Sequence, residues 1–203
     1  MKIPVAHDFI CPWCWIGLFQ AKRLEKDFGV EVEWLSYELF PDELEWVVSA
    51  GSAPAPEGDP RKPKTPTRMD LAYAAEGMDA PVSTRPYHMR THNAHEAVEY
   101  AKTEGVANQL VEKLYRAYWE EGQNINEPEV LEGLAVGIVK DVPAMVKAIA
   151  ERQFKDKIVG FDDPAYDSGV FNVPTFIIGG ERYAEQPYRA LQKAMEAERA
   201  TSR

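Results

Sequence analysis

The chain has 203 residues, of which 45% are apolar and 28% are charged, and its formal net charge is −10 at pH 7. This composition suits a globular protein with a sizeable core, and the acidic balance argues against binding to nucleic acid or to an anionic membrane surface. No segment approaches the ~18 consecutive apolar residues that a membrane span needs. The first residues show no secretory signal, so we expect a cytoplasmic protein.

The first 50 residues predict a strand, a helix and a second strand. The opening KIPVAHDF alternates apolar residues, with pairing expected from Val5 onward because Pro4 has no N–H to donate. A helix is expected over about residues 11–28, since Pro12 suits a first turn and Gly29 a helix end. The alternation in VEVEWLSYEL predicts a second strand, so this segment forms a βαβ unit.

A loop, a helical block and a late hairpin follow. Residues 51–64 are so rich in proline that we expect an extended surface loop. Residues 65–160 show helical patterns, with one helix starting near Pro86 and another capped by Asn126. The segment VPTFIIGGERYA predicts two strands joined by a turn at 179–180, and QPYRALQKAMEAERA predicts a final helix.

This order of elements predicts an α/β fold. Residues 1–50 and 165–203 are each too small to bury a core alone, whereas together they form one mixed four-stranded sheet with helices. We therefore predict one discontinuous domain from these two segments, with residues 65–160 inserted between them as an α-helical domain.

The sequence DFICPWCWIG contains both cysteines of the chain, Cys11 and Cys14. At 100° per residue Cys14 lies on the apolar stripe of the first helix, whereas Cys11 lies at the helix start, where free N–H groups favour an anion. We expect an exposed, readily ionised Cys11 and a shielded Cys14, close enough to form a disulfide. This arrangement suits thiol–disulfide exchange, in which Cys11 attacks a substrate disulfide and Cys14 resolves the product.

Other interpretations of the cysteines stay open at this point. A zinc site needs further ligands, and His7 and Asp8 are the only near candidates in the sequence. A structural disulfide between Cys11 and Cys14 would close a very short loop and add little stability. Two inert core cysteines are the remaining alternative.

Three histidines, His88, His92 and His95, recur on one face of a predicted helix. Three interpretations of this face are open. The histidines form a metal site, they make polar contacts at a domain junction, or His88 lies in the cleft beside Cys11. No open metal-site signature accompanies them, so we expect no structural metal.

Three segments of the chain carry a family resemblance: CPWC at the helix start, NVPTF before the hairpin, and the helical segment from RPYHMRTHNAHEAVEYAKTEG onward. Together they resemble the DsbA family of the thioredoxin superfamily, in its FrnE-like branch. The resemblance implies a thioredoxin fold interrupted by an α-helical domain. It also implies that Cys11 is the nucleophile, Cys14 the resolving thiol and Pro174 a cis-proline that faces them. The backbone of Val173 would then pair with an extended substrate. Trp13 either packs in the core or forms the lip of the substrate site.

We therefore predict a thiol–disulfide oxidoreductase that acts on protein or small-molecule disulfides, with no metal, flavin or nucleotide cofactor and with glutathione as a candidate co-substrate. One alternative is a glutathione-dependent isomerase or transferase, similar to 2-hydroxychromene-2-carboxylate isomerase or to the kappa class. Those relatives typically carry Ser at the nucleophile position, so the two cysteines favour redox chemistry. A third alternative is a non-catalytic binding or holdase protein. The oligomeric state is not predicted.

Overall fold

The computed structural model describes residues 1–41, 65–79, 85–86 and 89–201. The predicted loop at 51–64 lies outside these residues. The elements in chain order are β1 (Lys2–His7), α1 (Pro12–Phe28), β2 (Glu31–Glu38), α2 (Arg68–Glu76), α3 (His92–Thr103), α4 (Ala107–Trp119), α5 (Pro128–Ala135), α6 (Val142–Ala150), β3 (Val159–Gly160), α7 (Asp163–Asp167), β4 (Thr175–Ile178), β5 (Glu181–Ala184) and α8 (Tyr188–Thr201).

The strands form one mixed sheet in the order β3-β2-β1-β4-β5. β1 runs parallel to β2, β4 is antiparallel to β1 and to β5, and β3 is parallel to β2. The predicted α/β class, with a βαβ unit and a late ββα unit, is confirmed. The sheet has a fifth strand that the sequence analysis missed, because β3 has only two residues and so shows no alternation.

The pairing of β1 has the expected start at Val5 on the β4 side but not on the β2 side. On the β2 side the pairing begins at Lys2, whereas on the β4 side it includes only Val5 and Ala6. The carbonyl of Met1 accepts the N–H of Glu31, so alternate residues of β1 face β2 and Pro4 faces the other side. The β1–β4 register places Pro4 opposite Ile177, and the pairing on that side stops at Val5, as expected for a residue without an N–H.

Local signals fix both ends of α1. Cys11 is the N-cap residue, Pro12 opens the helix, and Gly29 closes it in the left-handed conformation with φ of 61°. Glycine reaches this conformation without the penalty that a Cβ imposes, which is why it ends the helix here. The predicted helix over 11–28 is confirmed.

Two predicted helix starts are wrong. α3 begins at His92 rather than near Pro86, because the residues just before it bind Glu38 of β2 instead of continuing the helix. α5 is capped by Glu127 rather than by Asn126, whose side-chain oxygen accepts the backbone N–H of Asn93. In both places a tertiary hydrogen bond outweighs the local capping preference.

The helices between β2 and β3 pack on the sheet through aromatic side chains. α3 and α4 both contact β2, and α4 also contacts α1. The largest fully buried side chains are aromatic and include Trp119, Tyr115, Tyr118, Phe9 and Phe176. Among the described residues, no helix combines the length and the apolar character that crossing a bilayer requires. The division of the chain into two domains stays a prediction.

A buried ionic cluster ties the end of β2 to the start of α3. The carboxylate of Glu38 accepts two hydrogen bonds from Arg90, each of 3.0 Å, and a third of 3.0 Å from Nδ1 of His92. The other ring nitrogen of His92 lies 3.0 Å from Glu96, so this imidazole bridges two carboxylates. Burial raises the pKa of Glu38, but the hydrogen bonds from His92 and Arg90 lower it by more, and the pKa falls to about 2.

We expect the Glu38→Gln variant to be less stable by about 3 kcal/mol at neutral pH, because it removes the buried carboxylate that accepts hydrogen bonds from the Arg90 guanidinium and from Nδ1 of His92. In the wild type this contribution is complete above the unfolded-state pKa of about 4.3 and is lost as the pH falls toward the folded-state pKa. Urea unfolding between pH 7 and pH 2 measures both effects. The exposed Glu31→Gln, on the same strand, is the control, and a Glu38→Gln variant with the wild-type dependence on pH contradicts the assignment.

Candidate active site at the start of α1

The two cysteines lie at the first turn of α1, and both are free thiols. The carbonyl of Cys11 accepts the N–H of Cys14 at 3.0 Å and that of Trp15 at 3.1 Å, so the turn is tightly wound. Cys14 is fully buried, as expected. The expectation of an exposed Cys11 is wrong, since this residue is only 5% exposed. Its Sγ points inward and donates a hydrogen bond of 3.2 Å to the carbonyl of Val173.

The segment that meets Cys11 is the bend before β4. The Val173–Pro174 peptide bond is cis, the isomer that the family resemblance implied. Val173 is buried, and its carbonyl is the hydrogen-bond acceptor of the Cys11 thiol. The structure therefore brings together Cys11, Cys14, Val173 and Pro174, which the sequence analysis assigned to one site.

Gly17 allows this close approach. A Cβ built at this position would lie 3.0 Å from Cγ and 3.1 Å from Cβ of Pro174, which is too short for an ordinary contact. This role of Gly17 was not predicted from the sequence. The available signal was a glycine inside a helical pattern, where it costs helix stability and so points to a packing reason.

The surroundings of Cys14 keep its thiol protonated. Burial raises the pKa of Cys14, and a hydrogen bond with Cys11 and the charges of Cys11 and Asp8 raise it further, whereas a backbone hydrogen bond at Asp8 acts in the opposite direction. Cys14 therefore remains a neutral thiol at neutral pH. A protonated, buried thiol is a poor nucleophile and a poor target for alkylating agents.

A cavity of about 250 Å³ opens beside Pro174. Trp13 lines it, half-buried, with the guanidinium of Arg68 4.3 Å from the ring centre. Trp13 lies between the two cysteines in the chain and lines this cavity, while its role as the lip of a substrate site stays a prediction. The place of α2 beside this site was not predicted from the sequence. The other lining residues are Ile16, Gln20, Leu71, Ala72, Ala75, Glu76, Glu185, Gln186 and Pro187.

The histidine face does not form one site in the part of the chain that the structure describes. His88 lies outside the described residues. His92 bridges Glu38 and Glu96, and His95 is fully buried with Nε2 3.4 Å from Asp8. Within the described ranges, no group of three or more His, Cys, Asp or Glu side chains is arranged to hold a metal ion.

The comparison with known families agrees with this geometry. Residues 2–196 match the model of the DSBA-like thioredoxin domain. The chain belongs to this family. As a DSBA-like protein it is 28% identical over 188 residues to the uncharacterized protein YwbO of Bacillus subtilis (strain 168), which covers 88% of this chain and 87% of that protein. The assignment to the FrnE-like branch stays a prediction.

Solved structures show the same DSBA-like fold. A probable DsbA oxidoreductase of Streptomyces coelicolor superposes with a TM-score of 0.72 at 22% identity, over 98% of this chain and 90% of that chain. A 2-hydroxychromene-2-carboxylate isomerase gives a TM-score of 0.67 at 16% identity, over 97% and 95% of the two chains. The cytosolic disulfide reductase DsbM of Pseudomonas aeruginosa, in a structure with GSH, gives 0.62 at 17% identity, over 97% and 100%.

We expect iodoacetamide to alkylate Cys11 before Cys14 in the native protein, because the raised pKa of Cys14 keeps it protonated. Mass spectrometry of digests, after labelling across a range of pH, identifies the modified residue. In the Cys11→Ser control, Cys14 should resist labelling until the protein is unfolded in guanidinium. Native protein that is labelled first at Cys14 would show that the two roles are reversed.

We expect Gly17→Ala to displace the Val173–Pro174 bend and to slow reaction of Cys11 with glutathione disulfide, because the added methyl group overlaps the proline ring. Overpacking of this kind costs about 1–3 kcal/mol, which thermal unfolding will detect. Gly133→Ala is the matched control, since Gly133 is also helical and a Cβ there has no neighbour within 4 Å. The contact is unimportant if the two variants behave alike.

Proposed function

We propose that this chain is a thiol–disulfide oxidoreductase that exchanges electrons with disulfide substrates through Cys11 and Cys14. The observation that carries the proposal is the placement of the Cys11 sulfur at the start of α1, 3.2 Å from the carbonyl of Val173, with Cys14 buried one turn behind it. A helix start stabilises negative charge, which favours Cys11 as the attacking thiolate. Membership of the DSBA-like family supports the same assignment.

The exchange takes place in two displacements. The Cys11 thiolate attacks one sulfur of a substrate disulfide, so that a mixed disulfide forms and one substrate thiolate leaves. The Cys14 thiolate then attacks the Cys11 sulfur, which forms the Cys11–Cys14 disulfide and releases the second substrate thiolate. Two electrons pass to the substrate, which becomes two thiols, and the reverse sequence oxidises a dithiol substrate.

The surroundings of Cys11 support an extended substrate. In the free protein the carbonyl of Val173 accepts a hydrogen bond from the Cys11 thiol. Ionisation of Cys11 removes that donor, and the backbone of Val173 then becomes available to pair with a substrate strand, as in other modes of strand addition. Trp13 and the cavity beside Pro174 would receive the side chains next to the substrate disulfide. The place of His88 beside Cys11 stays a prediction.

Glutathione is our proposed small-molecule partner, and the cytoplasm our proposed location. The Pseudomonas aeruginosa reductase of similar fold is described as cytosolic and was solved with GSH. We propose that no metal, flavin or nucleotide is required, because the exchange is completed by the two thiols themselves.

A glutathione-dependent isomerase or transferase is the second candidate. The similarity of fold to 2-hydroxychromene-2-carboxylate isomerase favours it. Such an enzyme needs one group to bind or activate glutathione and does not need a resolving thiol. The buried Cys14 directly behind Cys11 therefore weighs toward redox chemistry.

We expect the wild type to catalyse insulin reduction by dithiothreitol, Cys11→Ser to lose this activity by more than about 10²-fold, and Cys14→Ser to accumulate a mixed disulfide. Turbidity and non-reducing gels measure the two results. A glutathione-conjugation assay runs in parallel. An isomerase or transferase predicts conjugation that survives Cys14→Ser, whereas a holdase predicts suppression of aggregation that survives Cys11→Ser. Full insulin reduction by Cys11→Ser contradicts the proposal.

A further inference from the structure

A second cavity lies among the helices that follow β2, and the proposed function does not use it. Its volume is about 230 Å³, and it opens between the start of α3, the start of α5 and the end of α6. The described residues that line it differ from those around the cavity beside Pro174. They are Asn93, Pro128, Val146, Ile149, Ala150 and Arg152.

The walls of this cavity are apolar. Val146, Ile149 and Ala150 belong to α6 and Pro128 opens α5, and these four side chains carry no hydrogen-bonding group. A cavity of about 150 Å³ with an apolar lining holds a benzene molecule. The walls are therefore large enough for a compact apolar group of roughly six to eight carbon atoms.

Arg152, at the rim, has an unusual backbone conformation for its residue type. Its φ of 56° is in the left-handed region, and it lies just past the end of α6, where its N–H bonds the carbonyl of Ile149 and the N–H of Gln153 bonds that of Ala148. This pair of bonds is a common helix ending that usually has glycine at this position. Other helices of this chain end in the same way, with Gly77, Gly105 and Gly169. An arginine in this conformation is less stable than a glycine would be, so its side chain calls for a functional explanation.

A buried carboxylate holds one side of the Arg152 guanidinium. Nε lies 3.3 Å from Oε1 of Glu96, whose side chain is fully buried. Glu96 also accepts the backbone N–H of Phe154 at 3.1 Å and lies 3.0 Å from Nε2 of His92. Among the described residues, the two terminal nitrogens of Arg152 have no hydrogen-bond partner. Two such N–H donors on a planar guanidinium match the two oxygens of a carboxylate.

Hydrogen bonds between the surrounding elements define the shape of the cavity. The backbone N–H of Asn93 donates to Oδ1 of Asn126, and Nδ2 of Asn93 donates to the carbonyl of Asn126, each at 2.9 Å. These bonds join the start of α3 to the residues just before α5, and α3, α5 and α6 also contact one another. The cavity is therefore already formed in the free protein, as is usual for small-molecule sites.

We infer that this cavity binds a small organic carboxylate, whose charged group contacts Arg152 and whose apolar body packs on Val146 and Ile149. Of the described residues that line the cavity, Arg152 alone is charged, so the ligand must be an anion to gain from the guanidinium. Glu96 offsets part of this positive charge. Recognition therefore requires the two free donors and the apolar walls together.

Isoleucine methyl groups report on both cavities in one nuclear magnetic resonance experiment. Ile149 lines this cavity, and Ile16 lines the cavity beside Pro174. The protein is labelled with carbon-13 at the isoleucine methyl groups, and the two signals are assigned with Ile149→Val and Ile16→Val. We expect millimolar phenylacetate to shift the Ile149 signal and to leave the Ile16 signal in place.

Two related compounds separate the contributions of charge and apolar body. The neutral phenylacetamide lacks the charge, and acetate lacks the apolar body. Each should bind more weakly than phenylacetate by about tenfold or more, measured by titration of the Ile149 signal.

Variants of the rim and of the wall test the same site. Arg152→Gln removes the charge and the paired donors and should weaken phenylacetate binding by about tenfold or more. Arg189→Gln makes the same change at an exposed residue of α8 and should bind like the wild type. Ala150→Phe fills the cavity from an exposed position without touching the arginine, and it should abolish the response of Ile149 to phenylacetate.

An Ile149 signal that does not respond to phenylacetate overturns the inference, as does a response of Ile16 alone. Equal binding of phenylacetate and phenylacetamide, or wild-type affinity in Arg152→Gln, also overturns it. If Arg152→Gln does not fold, the remaining methyl signals show this, and the ligand comparison together with Ala150→Phe decides. The titration needs no thiol exchange, so its result is independent of whether the proposed function holds.

Discussion

The site depends on one contact, between the sulfur of Cys11 and the carbonyl of Val173, two residues 162 positions apart in the chain. The contact exists because β1 pairs with β2 on one side and with β4 on the other. The start of α1 follows β1 and the Val173–Pro174 bend precedes β4, so both emerge at the same end of neighbouring strands. Any change that shifted this register would separate the Cys11 sulfur from the Val173 backbone that we propose pairs with a substrate.

The helices that follow β2 are joined to this sheet through polar groups as well as through packing. Glu38 binds the start of α3 in a buried ionic cluster, and Trp119 of α4 donates from its indole nitrogen to the carbonyl of Phe9 at 2.8 Å. Both contacts fix the helices close to the ends of β1 and β2. They help to hold His95 and Tyr115 against His7 at the end of β1, a placement that apolar packing alone would define less sharply.

The sequence predicted the elements whose ends are set by nearby residues. It did not predict the positions of side chains that are set by contacts with residues far away in the chain. Pro12 and Gly29 located α1, and the spacing of the cysteines indicated one buried thiol. The cis bond at Pro174 followed only from the family resemblance, since its local sequence has no such signal. The inward turn of Cys11 and the place of Tyr115 were not predictable, because each depends on partners more than 100 residues away. α3 starts late for the same reason, since Glu38 captures the residues before it.

The strand order has a consequence for synthesis in the cell. β1 lies at the centre of the sheet, but its neighbour β4 is among the last elements to be made. At about 5–20 residues per second, the ribosome exposes Cys11 and Cys14 roughly 10–30 s before Val173 is added. During that interval the Cys11 thiol lacks the Val173 carbonyl that accepts its hydrogen bond in the folded protein. The nascent chain therefore carries an open dithiol, whose oxidation state is set by the surrounding thiol pool rather than by the protein.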